Sequence, residues 1–287
     1  MDHAKALATV ASNGRSLANV GEHRSSEAVC LAAVQNWGLA LEHAADEMKR
    51  NETVVLAACK HDGFALAFAP PELRASREFV LSAVKLSGKA LKHAAAQLQD
   101  DDEVVIAACK VNDRRALSLA FASERCRGDR AIVNAACKEH GYSIQYASDE
   151  LRADKDTAMI AVAQNGYSLQ YVSDALKNDA DVVLAAVGHG FQALNFAAPA
   201  LKNDKRVCLA AVTANGRALQ MLAGTKMAGN AEVVKTAVTQ QAFLLKFAAE
   251  ELKGDLAFLK ECAAANPEIA KYVPRELAAH FVIGGGG

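Results

Sequence analysis

The stretch Asp204-Lys205-Arg206-Val207-Cys208-Leu209-Ala210-Ala211-Val212-Thr213-Ala214-Asn215-Gly216-Arg217-Ala218-Leu219 decides the fold, because its pattern returns about every 25 residues along the chain. Taking the last apolar residue before the Asn-Gly step as an anchor places copies at Val10, Val34, Cys59, Val84, Cys109, Cys137, Val162, Val187, Val212, Val238 and Cys262. Self-similarity at such a period is the mark of a stacked repeat array, in which each unit is too small to bury its own apolar face.

Within one copy the chemistry points to helix. Eight residues before the anchors stand Asp2, Ser26, Asn51, Ser76, Asp101, Asp129, Asp154, Asp179, Asp204 and Asn230, with Gly254 in the last copy. An Asp, Asn or Ser oxygen at that register accepts from free amides of a first helical turn. Residues five, four and one before the anchor, with the anchor itself, are mostly Val, Ile, Leu, Ala or Cys, which makes one apolar face on a helix of about ten residues. Gly14, Gly38, Gly63, Gly88, Gly141, Gly166 and Gly216 follow four residues after the anchors and read as helix ends in the left-handed conformation.

A second short amphipathic helix is predicted around Leu17, Leu41, Leu66, Leu91, Leu117, Ile144, Leu169, Leu194, Leu219 and Leu245, with Met48, Leu73, Leu98, Leu151, Leu176, Leu201 or Leu252 seven residues later. The expected fold is therefore all-α: an α-solenoid of about eleven two-helix repeats. It forms a single domain over residues 1–283, with 254–283 as a degenerate cap containing Pro267 and Pro274 and Gly284 to Gly287 as a flexible tail. The pattern breaks between Cys109 and Cys137, where the spacing grows to 28 and Arg114, Arg115, Arg125, Arg127 and Arg130 gather with Cys126.

The string V-x-L-A-A-V-x-x-N-G-x-x-L, seen in Val207 to Leu219 and varied in Ala158 to Leu169, resembles a tandem helical repeat family known only as a domain of unknown function. The resemblance runs from Asp2 to Leu252, each family unit spanning about two of the copies described here. It implies a helical repeat and brings no activity, cofactor or catalytic residue with it.

Composition narrows the function. The chain has 32 basic and 33 acidic residues and a net charge of −1, so nothing marks it as a binder of nucleic acid or an anionic membrane. No apolar run is long enough for a membrane span, and the start lacks a signal peptide's apolar stretch. Seven cysteines, mostly in valine slots, behave as small buried apolar residues, which suits a reducing, intracellular and cytoplasmic setting. Cys59-x-His61 and Cys137-x-x-His140 are the suggestive metal spacings, but further ligands for a four-coordinate site are missing, so no metal or cofactor is expected. The histidines scatter over different repeat slots and no phosphate loop is present, so the chain does not read as an enzyme.

Two residues before and after the second helix's key Leu stand Phe64 and Phe68, Tyr142 and Tyr146, Tyr167 and Tyr171, Phe196, and Phe243 and Phe247. At about 100° per residue these positions fall on the side away from the Leu, giving a ladder of rings. Such a ladder is either a surface for a protein or peptide partner, with Gln145, Gln170, Asn195 and Gln220 as selective neighbours, or semi-buried packing between repeats. The alternatives are single-stranded nucleic acid stacked on the rings and a structural spacer within a larger assembly. The arginines at 114–130 are either a grip for an acidic peptide or phosphate, with Cys126 an exposed thiol, or a solvated loop. Trp37, in the Asn slot before Gly38, is a packing variant or the end of the ladder.

Overall fold

A computed structural model of the chain describes residues 1–111, 117–279 and 281, with no account of the Leu117 side chain. Every regular element among the described residues is helical, and the elements recur in tandem. Arg114, Arg115 and the terminal glycines lie outside them. The chain divides into two compact units, Met1–Leu151 and Arg152–Gly287.

In the first unit the long helices are His3–Ser12, Glu27–Asn36, Glu52–His61, Arg77–Leu86, Asp102–Cys109 and Arg130–Glu139; each packs on the next. In the second they are Lys155–Gln164, Ala180–His189, Lys205–Ala214, Ala231–Gln240 and Leu256–Ala265, again packed in succession. The caps form as the side chains require. Asp204 accepts from the amides of Arg206 at 2.8 Å and Val207 at 3.1 Å, and Asn51 accepts from Val54 at 3.2 Å. Ser26 holds the same register without a side-chain bond. The apolar face is fully buried: Val54, Val55, Ala58 and Cys59 in one copy, Val207, Cys208, Ala211 and Val212 in another.

The last copy is displaced by one residue from the sequence-based register. Asp255, not Gly254, caps Leu256–Ala265, and the buried set is Phe258, Leu259, Cys262 and Ala263. The anchor is thus Ala263, and Cys262 takes the slot of Ala211; Asn266-Pro267 then falls where other copies have Asn-Gly.

The second helix of the expected hairpin is two elements. A six-residue 3-10 segment such as Gly38–His43, Gly63–Phe68 or Gly166–Tyr171 carries the key Leu, fully buried, and a short α-helix such as Asp46–Arg50 or Pro71–Ala75 follows. Two extended residues separate them, Ala44 and Ala45 for instance, with ψ of 154° and 155°. A bond to the preceding repeat accounts for the break. The Ala45 amide donates to the Arg24 carbonyl at 3.0 Å, Ala95 to Arg74, Ser123 to Gln99 and Ser148 to Arg127 at 2.9 Å. In the second unit Ser173 donates to Arg152 and Ala198 to Lys177, each at 2.9 Å. An amide used between repeats is unavailable to continue a helix. Pro70, which has no N–H, holds the same extended conformation through its ring.

The repeated glycines serve close approach, contrary to their expected left-handed role. Positive φ occurs at Gly21 and Gly224, whereas a Cβ on Gly14, Gly38, Gly88 or Gly166 would lie 2.2–2.6 Å from a carbonyl oxygen of the next long helix. The residue before the glycine is extended, and Asn165 and Asn215 use that position to cap the 3-10 segment through the amides of Tyr167 and Arg217 at 3.0 Å. The glycine amide is taken by the next repeat: Gly14 donates to Asn36, Gly38 to His61 Nδ1 and Gly216 to Gln240. Within each unit neighbouring 3-10 segments also pack together, so the key Leu side chains lie in a core between them and the long helices.

Around the long gap the key residue is Leu119, fully buried, with the Ala122 amide on its carbonyl as Ala69 is on Leu66. The register predicted through Leu117 is therefore two residues short, and the three additional residues fall before the 3-10 segment Leu117–Phe121.

Candidate partner-binding surface

A 3-10 helix turns about 120° per residue, so positions two before and two after the key Leu sit on its flanks, about 120° to either side. This differs from the α-helical expectation, which puts them opposite. All nine predicted ring residues, Phe64, Phe68, Tyr142, Tyr146, Tyr167, Tyr171, Phe196, Phe243 and Phe247, are accordingly half-buried. Each ring has one part against its neighbours and another open to solvent.

The structure brings several of them into contact. In the first unit the Phe64 ring meets His93 at 6.0 Å and Phe121 at 6.1 Å between centroids, both edge to face. In the second unit Tyr167 meets Phe196 at 6.4 Å. Edge-to-face packing at such distances is the favourable arrangement of ring quadrupoles. Phe121 was hidden from sequence reasoning by the shifted register; counting two residues from Leu119 would have found it. Trp37 is half-buried, with the Arg15 guanidinium 4.9 Å from its ring centroid and His43 at 6.4 Å.

Cations lie over the rings. Lys92 sits 5.1 Å from Phe64 and 5.9 Å from Phe121, Lys89 sits 5.7 Å from Phe64, and in the second unit Lys246 sits 4.8 Å from Phe247 and 5.6 Å from Phe243. Three-residue spacing eclipses side chains on a 3-10 helix, which aligns Lys89 with Lys92 and Phe243 with Lys246. Of the proposed polar neighbours, Gln145 and Gln170 donate back to the carbonyls of Tyr142 and Tyr167 at 3.0 and 3.1 Å, while Asn195 and Gln220 are exposed.

Two arginines of the segment, Arg125 and Arg127, are paired within it or with the preceding repeat. Arg125 pairs with Asp100 at 2.9 Å and Asp102 at 2.6 Å, and Arg127 lies 3.9 Å from Glu124. Cys126 is fully buried, correcting its reading as an exposed thiol, and burial raises its pKa. At the two metal-like spacings, His61 Nδ1 accepts from Gly38, and His140 Nε2 lies 3.0 Å from the Val111 carbonyl. Burial pushes the thiols of Cys59 and Cys137 up to about 12. Among the described residues no group of three or more His, Cys, Asp or Glu is placed to hold a metal ion, and no helix is long and apolar enough to cross a membrane.

These features define an all-helical tandem-repeat protein. The family model described as Domain of unknown function (DUF4116) matches it four times, at residues 27–74, 76–120, 113–152 and 154–199, and the chain belongs to that family. Two of the matched segments begin at the helix caps Ser76 and Asp154, so one family unit is a pair of the repeats described above. The matches lie inside 27–199, a narrower span than Asp2 to Leu252. Comparison with curated proteins and with solved structures returns no match.

Proposed function

We propose that this chain is a non-catalytic helical-repeat scaffold, an α-solenoid of about eleven repeats, which binds a protein or peptide partner through its ring-bearing 3-10 segments. The observation that carries this reading is the half-burial of all nine rings. A ring held on one side by its neighbours keeps its orientation while the other side stays available, so a partner gains apolar contact at a small cost in side-chain freedom. Single-stranded nucleic acid is the second reading, favoured by the lysines over Phe64, Phe121, Phe243 and Phe247.

The test replaces Tyr167, Tyr171 and Phe196 together by Ser and compares the variant with the wild type in cross-linked capture from lysate of the source cells. A thermal melt verifies that both are folded. Specific partners lost in a folded variant support the scaffold reading; an unchanged set of partners removes the rings from it.

A further inference from the structure

Several basic side chains meet carboxylates: Arg77 pairs with Asp101 at 2.8 Å, Arg125 with Asp100 at 2.9 Å and Lys155 with Asp179 at 2.8 Å. Lys89 and Lys92 form no ion pair with any described carboxylate and lie instead over Phe64 and Phe121. They belong to two eclipsed rows of the 3-10 segments in the first unit, on which Glu42 is the one carboxylate. Burial and the charges of Lys92 and Arg74 lower the pKa of His93, which touches Phe64.

We infer that the patch formed by Phe64, Lys89, Lys92 and Phe121 docks an acidic peptide segment of the partner. This rests on the scaffold reading above and gives the partner a chemistry. Lys92 is exposed and Lys89 half-buried, so a carboxylate can reach both ammonium groups while apolar atoms of the same segment lie along the open parts of the rings. An ammonium over a ring keeps its charge, and a ring face is a weaker partner than a carboxylate, so exchange toward an acidic side chain is favourable. The local character of the charge favours a peptide over a nucleic acid. The position of Lys92 is filled in the other repeats of this unit by Ala18, Glu42, Ala67, Ala120 and Gln145, which leaves no basic track for a phosphate backbone.

The experiment pans a phage-displayed library of random peptides on the whole protein and measures the leading peptides by fluorescence anisotropy at low and high salt. They are measured against wild type, Lys89→Gln/Lys92→Gln, Phe64→Ser/Phe121→Ser, and Lys60→Gln/Lys138→Gln as a control for net charge. Lys60 and Lys138 are exposed on long helices. The expected result is enrichment of Asp and Glu, affinity that falls with salt, about a tenfold loss in the Lys89/Lys92 variant and little loss in the control. Neutral peptides that ignore the Lys89/Lys92 change but fail on the Phe64/Phe121 variant overturn the inference and leave the scaffold reading standing. Failure to enrich any peptide, or binding indifferent to both patch variants, overturns the inference and counts against the rings as a surface. Tighter binding of labelled oligo-dT, lost in the same lysine variant, overturns it in favour of nucleic acid.

Discussion

Gly166 and Ala186 approach so closely that a Cβ built on Gly166 would sit 2.2 Å from the Ala186 carbonyl oxygen. The contact joins the start of one 3-10 segment to the long helix of the next repeat, and Gly14 with Ala33 and Gly88 with Ala108 repeat it. Gly166→Ala must push backbone against backbone, which no side-chain rotation relieves. A loss of about 1–3 kcal/mol is expected in urea unfolding. Gly188, in the exposed part of helix Ala180–His189, has nothing within 4 Å of its added Cβ. Gly188→Ala is expected to leave stability unchanged or raise it by up to about 1 kcal/mol. Equal effects at the two sites would reject close approach as the reason for the repeated glycine.

Asp204 caps its helix through two amides, whereas Ser26, at the same register, makes no side-chain bond. Asp204→Ala is expected to cost about 1 kcal/mol, and Ser26→Ala less than about 0.5 kcal/mol. Chemical denaturation of both variants checks the difference.

Acid should weaken the protein through the ion pairs between neighbouring long helices. The Arg77 guanidinium holds the Asp101 carboxyl below its ordinary value of 3.8, and Lys155 does the same for Asp179. In the unfolded chain these carboxyls take up protons first, so their contribution is fully present above the unfolded value and is lost as pH falls through the lower folded value. Stability of the wild type should drop below about pH 4 more steeply than that of Arg77→Gln/Lys155→Gln. Parallel pH curves for the two proteins would show that the pairs contribute nothing.

All seven cysteines are buried, and burial raises Cys59, Cys109, Cys137 and Cys208 to about 12. Native protein at pH 8 should react slowly with a thiol reagent such as DTNB, and denatured protein should release all seven equivalents at once. Unfolded thiols ionise near 9.0, before the folded ones, so stability should also fall as pH rises above about 9. Rapid labelling of one native thiol would locate an opening that the structure does not contain.

Much of this structure was legible in the residues. The spacing of Asp204 from Val212, the Val-Cys-x-x-Ala-Val face and the burial of Leu66 or Leu169 are local patterns, and local patterns survive transfer from sequence to fold. Register differs from the sequence pattern by one residue at Cys262 and by two at Leu117. Around Cys262 the apolar neighbours Cys262 and Ala263 are chemically alike, so only the cap at Asp255 reveals which is the anchor. Around Leu117 an insertion leaves two leucines in competition, and the Ala122 amide on the Leu119 carbonyl marks Leu119 as the key residue. Phe121 was lost with that register.

The sequence by itself determined that the chain is helical and tandemly repeated, because caps, apolar periodicity and repetition act within a few residues. Only the tertiary structure decided the form of the second element and the exposure of its rings. The amide of Ala45 bonds to Arg24, and that of Ala95 to Arg74, in the preceding repeat, which ends the 3-10 segment before it can become an α-helix. That tighter winding turns the rings from the far side to the flanks, where each is partly covered. Bonds and contacts between residues more than twenty positions apart have no local signature, so neither feature could be read from one repeat alone.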